Sequence, residues 1–176
     1  RFALENLAIY NKDRALKIRR AEAEQIRTDV ECRITGSDID SQAVARAKLN
    51  AEHACVMAGR ALQEIGSDAK IERPDFVQSD FAELEAPYEN GLILCNPPYG
   101  ERLGDEEEAE KLYKKMNCIF KNFPGWEFGV ITSHERFEEA IGKHAVMTKN
   151  LKAGNLETKF YMYSDKLGTK QQKRKN

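Results

Sequence analysis

The chain has 176 residues, 41% hydrophobic and 32% charged, and its 28 basic and 29 acidic side chains leave a net charge of −1. That length and apolar content suit one globular domain with a real core and exclude wholesale disorder, while the near-neutral balance leaves any nucleic-acid or membrane partner to a local patch. The longest apolar run, Ala54 to Ala58, is too short for a membrane span or a secretory core, and Cys32, Cys55, Cys95 and Cys118 form no CxxC pair and have no histidine at ligand spacing. No metal site and no disulfide framework are expected, and the setting is a reducing cytoplasm.

The chain opens on Arg1 rather than Met, which reads as an excised piece or a processed chain. Phe2, Leu4, Leu7, Ile9, Tyr10, Leu16 and Ile26 set a helical pattern among Lys, Arg and Glu. Residues 31–37 predict a short strand, and Asp38-Ile-Asp-Ser supplies turn and N-cap residues before a long helix. Within that helix Val44, Ala47, Ala51, Cys55, Ala58, Leu62 and Ile65 form one apolar stripe, which ends at Gly66, a C′ residue. A strand follows at Asp75 to Gln78, running into Ser79-Asp80-Phe81, and another at Gly91 to Cys95, apolar enough to be a parallel strand buried on both faces. After the turn Asn96-Pro-Pro-Tyr-Gly100 the pattern predicts a helix over 106–120, a strand over 126–132 and a short helix over 135–142. Residues 146–151 and 156–163 flank Lys152-Ala-Gly-Asn155 as a hairpin, and residues 166–176, with five Lys or Arg and no acid, predict a disordered basic tail after a domain covering 1–165.

Strands alternating with helices imply a parallel sheet covered on both faces, with ligands at the carboxyl ends of its strands. Three such ends carry polar residues, Gly36-Ser-Asp-Ile-Asp40, Ser79-Asp80-Phe81 and Asn96-Pro-Pro-Tyr99, and they are expected to converge on one cleft. The last is the most specific. Two prolines fix φ twice and remove two backbone donors, so a strand-end carbonyl faces a ligand with no competing N–H beside it. With the Asn96 amide it accepts both hydrogens of an exocyclic amine, and Tyr99 stacks on the attached ring. The plainer alternative is a proline turn after a buried strand.

Asn96-Pro-Pro-Tyr99 resembles motif IV of the S-adenosylmethionine-dependent amino-methyltransferases, and its extension through Gly-Glu-Arg-Leu-Gly104 is similar to the ribosomal RNA guanine-N2 methyltransferases that carry an N-terminal THUMP domain. Gly36 to Asp40, Phe76 to Asp80, Tyr113, Ile131 to His134 and the hairpin from Asn150 to Tyr163 fall in that family's order, while the first thirty residues resemble the segment before its second strand. The resemblance implies a Rossmann-like methyltransferase fold, mainly parallel with a C-terminal antiparallel hairpin and truncated at its N-terminus. It implies that Asp38 holds the ribose hydroxyls of S-adenosylmethionine, Ile39 and Phe81 pack on the two faces of adenine, and Asp80 accepts the adenine amino group, with Asn96 also beside the cofactor. Asn96, Pro97, Pro98 and Tyr99 make up the catalytic turn.

Residue chemistry supplies the alternatives. Asp40 is assigned the cap of the long helix and Asp38 the ligand role, with either acid able to cap. Ser79-Asp80 is also a common loop pair. Arg102 meets an RNA phosphate or a nearby acid, and His134 contacts substrate or is a hydrogen-bonded edge residue. Cys95, inside an apolar strand, reads as a core residue. The chain departs from the family in one respect: no glycine cluster precedes Gly36, so the first strand and its glycine-rich loop are absent, which predicts an unpaired gap in the sheet between the second and fourth family strands. The expected activity is therefore that of a longer parent chain with a THUMP domain, methylating the N2 amine of guanine in 23S ribosomal RNA. Adenine-N6 or glutamine-N5 methylation, and a non-enzymatic RNA-binding or assembly module, are the alternatives.

Overall fold

The computed structural model describes residues 3–98, 106–153 and 156–164. Tyr99, Arg102, the centre of the hairpin turn and the basic tail lie outside the described residues. Contacts divide the chain into two units, Arg1–Ser79 and Asp80–Asn176.

The first unit holds α1 (Lys12–Ala23), β1 (Thr35–Asp38), α2 (Ser41–Glu64) and β2 (Asp75–Gln78). The predicted opening helix begins only at Lys12, because Asn11 caps it: its side chain accepts from the Arg14 amide at 2.8 Å, and the preceding residues make a 3-10 turn at Ala3–Asn6. The strand expected over 31–37 is confined to Thr35–Asp38, where it pairs parallel with β2 from Thr35↔Asp75 to Asp38↔Gln78. Gly36 lies opposite Phe76, whose ring comes within 2.7 Å of where a Cβ would stand, so only glycine leaves that ring its place over the strand. Helix α2 buries Val44, Ala51 and Leu62 of the predicted stripe. It stops where predicted: Gly66 takes φ 79°, and Ser67 donates back to the Leu62 carbonyl at 2.9 Å.

The second unit holds β3 (Leu92–Cys95), α3 (Glu106–Met116), α4 (Cys118–Asn122), β4 (Glu127–Thr132), α5 (Phe137–Ile141), β5 (Met147–Ala153) and β6 (Leu156–Tyr163). Its sheet runs β3-β4-β6-β5, with β3 and β4 parallel and the β5–β6 hairpin antiparallel. Side chains alternate across it. Phe128, Val130, Tyr161 and Tyr163 point to one face, where Tyr113, Met116, Ile119, Phe137 and Ile141 from the three helices close a core of residues no more than 4% exposed. The helix expected over 106–120 is interrupted at Asn117, whose amide nitrogen donates to the Ile141 carbonyl at 2.7 Å and so ties the break to the end of α5.

Among the described residues, β1 and β2 pair as one sheet in the first unit and β3-β4-β6-β5 as another in the second. Strand β3 is terminal in the four-stranded sheet of the second unit. The expectation that β3 is buried on both faces needs correction. Ile93 and Cys95 pack against the core, but Leu92 and Leu94 are 48% and 68% exposed, because the helices of this unit cover only the face that carries Phe128 and Val130. No helix among the described residues is long and apolar enough to cross a membrane.

Candidate functional site

The residues singled out in the sequence fall in both units. In the first, β1 ends at Asp38, whose Oδ1 accepts from the Asp40 amide at 2.9 Å and turns the chain back on itself. Asp40 caps α2 as expected, its Oδ1 accepting from the Gln42 amide at 2.8 Å, while its other oxygen lies 3.7 Å from the Arg46 guanidinium. Asp38 is thus an exposed acid at a strand end rather than the helix cap. Between the two acids Ile39 stands 70% exposed, an apolar side chain held in solvent by a tight polar turn. Gln78 supports that turn from the end of β2 by donating to the Ile39 carbonyl at 3.1 Å. Nothing in the local sequence of Gln78 signals this role, because the contact spans 39 residues and depends on the parallel register of β1 and β2.

In the second unit Asp80 caps a 3-10 turn at Phe81–Glu83, its Oδ1 accepting from the Ala82 amide at 2.9 Å. Its other oxygen accepts from the Lys115 ammonium. The Lys115 hydrogen bond, followed by that from Ala82, holds the Asp80 carboxyl below the usual range. Lys115 also lies 5.3 Å from the centre of the Phe81 ring, which is half-buried against the helical core. Sequence reasoning misses Lys115 because it lies 35 residues from Asp80 on an otherwise charged helix face.

Strand β3 ends at Cys95, and the chain leaves it as Asn96 exposed, Pro97 buried and Pro98 exposed. Burial pushes the Cys95 thiol up to about 11, which suits a core residue and not a nucleophile. Tyr113, fully buried in α3, reaches the turn: its hydroxyl donates to the Pro98 carbonyl at 3.3 Å and lies 3.0 Å from Thr132 Oγ1 at the end of β4. His134 follows that strand end, its amide donating to Thr132 Oγ1 at 3.1 Å and its ring meeting Tyr113 edge-on at 5.2 Å. Both imidazole nitrogens are buried and have no partner among the described residues. The ring is held by its aromatic contact with Tyr113, which fixes its place by shape and leaves its polar atoms unmatched. Tyr99 and Arg102 lie outside the described residues. Asp80, Phe81, Asn96, Pro97, Pro98 and His134 all belong to the second unit, and Asp38 and Ile39 to the first.

The donor set suits an organic cofactor. In the first unit the exposed Asp38 carboxylate can take a diol, and the exposed Ile39 side chain beside it can lie against a flat ring. Among the described residues, no group of three or more His, Cys, Asp or Glu side chains is placed to hold a metal ion.

Comparison with known proteins gives the family. The chain is 34% identical over 175 residues to a Bacillus subtilis protein named "Putative RNA methyltransferase YpsC", taking in 99% of this chain and 42% of that one. It is 32% identical over 168 residues to the "Ribosomal RNA large subunit methyltransferase K/L" of Shewanella pealeana, covering 93% of this chain and 22% of that protein. The chain therefore spans less than half the length of these relatives. Among solved structures it resembles "SMU.472, a putative methyltransferase complexed with SAH", with TM-score 0.66 and 25% identity over 93% of this chain and 40% of that one. It also resembles a "predicted N6-adenine-specific DNA methylase" from Listeria monocytogenes, with TM-score 0.65 and 34% identity over 90% of this chain and 37% of the other. The family described as "RMKL-like, methyltransferase domain" matches residues 2–161, and the chain belongs to that family.

Proposed function

We propose that this chain is part of an enzyme that transfers a methyl group from S-adenosylmethionine to the N2 amine of a guanine in 23S ribosomal RNA. The observation that carries the reading is the Asn96-Pro97-Pro98 turn at the carboxyl end of β3. Tyr113 engages the Pro98 carbonyl, and in this reading the carboxamide oxygen of the exposed Asn96 and the Pro97 carbonyl accept the two hydrogens of an exocyclic amine. Accepting both fixes the plane of the NH₂ group and turns its nitrogen lone pair outward. Support for the donor comes from the SAH-bound structural relative, and support for the RNA substrate from the names of the curated relatives.

S-adenosylmethionine supplies a methyl group on a positively charged sulfur. Asp38 takes its ribose hydroxyls, Ile39 and Phe81 pack on adenine, and Asp80, kept ionised by Lys115, accepts the adenine amine. Asn96 and Pro97 hold the acceptor amine, Pro98 keeps the turn rigid, and Tyr99 stacks on the target base after it leaves its own stack. Arg102 takes a phosphate, and a substrate hydrogen bond to His134 satisfies a nitrogen that has no partner among the described residues. Bound there, S-adenosylmethionine would supply the methyl to the amine held by Asn96 and Pro97, its sulfur keeping the bonding pair and the amine's extra proton passing to water. A THUMP domain elsewhere in the parent chain brings the RNA, and the enzyme works in the cytoplasm.

Methyl transfer by the complete protein to 23S ribosomal RNA, DNA and protein substrates tests the reading. Transfer to guanine N2 is expected, and Asn96→Ala should lower its single-turnover rate about 30- to 1000-fold, or roughly 2–4 kcal/mol, with cofactor affinity retained. A correctly folded Asn96→Ala protein that works at the parental rate refutes the amine pocket. The relation to the Listeria structure favours adenine N6 as the second reading, and methylated DNA in the same assay would establish it. A methylated glutamine would favour protein substrates, and RNA binding without transfer would favour an assembly module.

A further inference from the structure

We infer that Tyr113 is a positioning residue for methyl transfer, acting with Thr132 to hold the Asn96-Pro97-Pro98 turn in register with the end of β4; this deepens the amine-pocket reading and rests on it. The β3–β4 backbone ladder does not extend to that turn. The β3–β4 ladder ends at Cys95↔Val130, and the two prolines beyond it have no N–H to extend it. The contact that replaces the ladder is made by side chains. The Pro98 carbonyl can only accept, so the Tyr113 proton goes to it; the Thr132 hydroxyl then donates to Tyr113, and Thr132 accepts in turn from the His134 amide. The chain of bonds runs from the backbone beyond one strand end to the backbone beyond the other.

Burial makes this link stiff. Tyr113 and Thr132 are both 0% exposed, so water does not compete for their hydroxyls, and the Tyr113 ring is fixed edge-on by Phe137 at 5.0 Å and by His134 at 5.2 Å. A buried hydroxyl that spends its proton on a turn carbonyl fixes where the neighbouring acceptors stand. Small displacements of a reacting group are costly, since a misplacement of about 1 Å lowers rates about a hundredfold.

The test uses the complete protein with Tyr113→Phe, which keeps the ring and removes only the hydroxyl, beside Thr132→Val, Thr132→Ser and Asn96→Ala. Tyr113→Phe should lower kcat about 10- to 100-fold while KM for S-adenosylmethionine stays near the parental value, a split that loss of stability alone does not produce. Thr132→Val should lower kcat in the same way, Thr132→Ser should recover most of that loss, and the double variant Tyr113→Phe/Thr132→Val should be little worse than Tyr113→Phe alone. Parental kcat in Tyr113→Phe, with Asn96→Ala slowed, overturns the positioning role and leaves the amine pocket standing. Parental kcat in Asn96→Ala overturns both. Should Tyr113→Phe not fold, the Thr132 pair decides: equal rates for Val and Ser overturn the inference.

Discussion

Replacing Gly91 by alanine should destabilise the second unit by an amount that depends on Trp126. A Cβ at position 91 would lie 2.3–2.4 Å from three atoms of the indole, well inside the roughly 3.5–4.0 Å of ordinary carbon contact, so the ring must move by about 1 Å or more. The indole cannot shift freely. Its Nε1 donates to the Tyr88 carbonyl at 2.8 Å, its ring packs against Phe123 at 5.3 Å, and the next residue, Glu127, donates to the Gly91 carbonyl at 2.9 Å. Overpacking costs about 1–3 kcal/mol and a lost hydrogen bond about 0.5–1.5 kcal/mol, so Gly91→Ala should cost about 1.5–4.5 kcal/mol. Urea unfolding of the parent, Gly91→Ala, Trp126→Leu and the double variant measures it. The clash predicts strong non-additivity, with Gly91→Ala costing little once the indole is gone. An equal cost for Gly91→Ala with the indole present and with it replaced by leucine would refute the steric argument.

The two acids of the first unit should separate in function. Asp38→Ala should weaken S-adenosylmethionine binding by the complete protein by roughly 1.5–3 kcal/mol, read by calorimetry, and unchanged affinity would reduce Asp38 to a turn residue. Asp40→Ala should instead lower unfolding stability by about 1 kcal/mol through loss of the α2 cap and leave cofactor affinity nearly unchanged; a binding defect as large as that of Asp38→Ala would contradict the division. Because Lys115 and the Ala82 amide lower the Asp80 carboxyl in the folded protein, its contribution to stability is present above the ordinary carboxylate range and is lost as pH falls through the lowered value. Lys115→Met should raise the Asp80 titration midpoint toward the ordinary range in a carboxyl-carbon NMR titration, and an unmoved midpoint would show that Lys115 is not its cause.

Local signals in the sequence are reliable where local chemistry decides the structure. Asp40 before Ser41 and Gly66 after Ile65 mark both ends of α2, because caps are built from residues a few positions apart. The strand end before Asn96 is legible for the same reason. The break at Asn117 is not, since it answers to the Ile141 carbonyl far along the chain, and the apolar pattern runs on through it from Met116 to Ile119. Leu92 and Leu94 mislead for a different reason: their composition suggests burial on both faces, while helices in this unit reach only one. The candidate site is half legible. Asn96 and Asp38 declare themselves at strand ends, but Lys115, Gln78 and the Tyr113–Thr132 link exist only once strands and helices are packed.

The exposure of β3 bears on how this stretch of chain, without the strand that the resemblance places beside it, meets other strands. A terminal strand with a bare apolar face, here Leu92 and Leu94, is a template on which another chain can add itself and begin to aggregate. Two features blunt it. The strand is only four residues long, and it runs directly into Pro97 and Pro98, which offer no amide hydrogens to an incoming strand. A foreign strand laid along this edge could pair no further than Asn96, because the two prolines beyond it have no amide hydrogen to give.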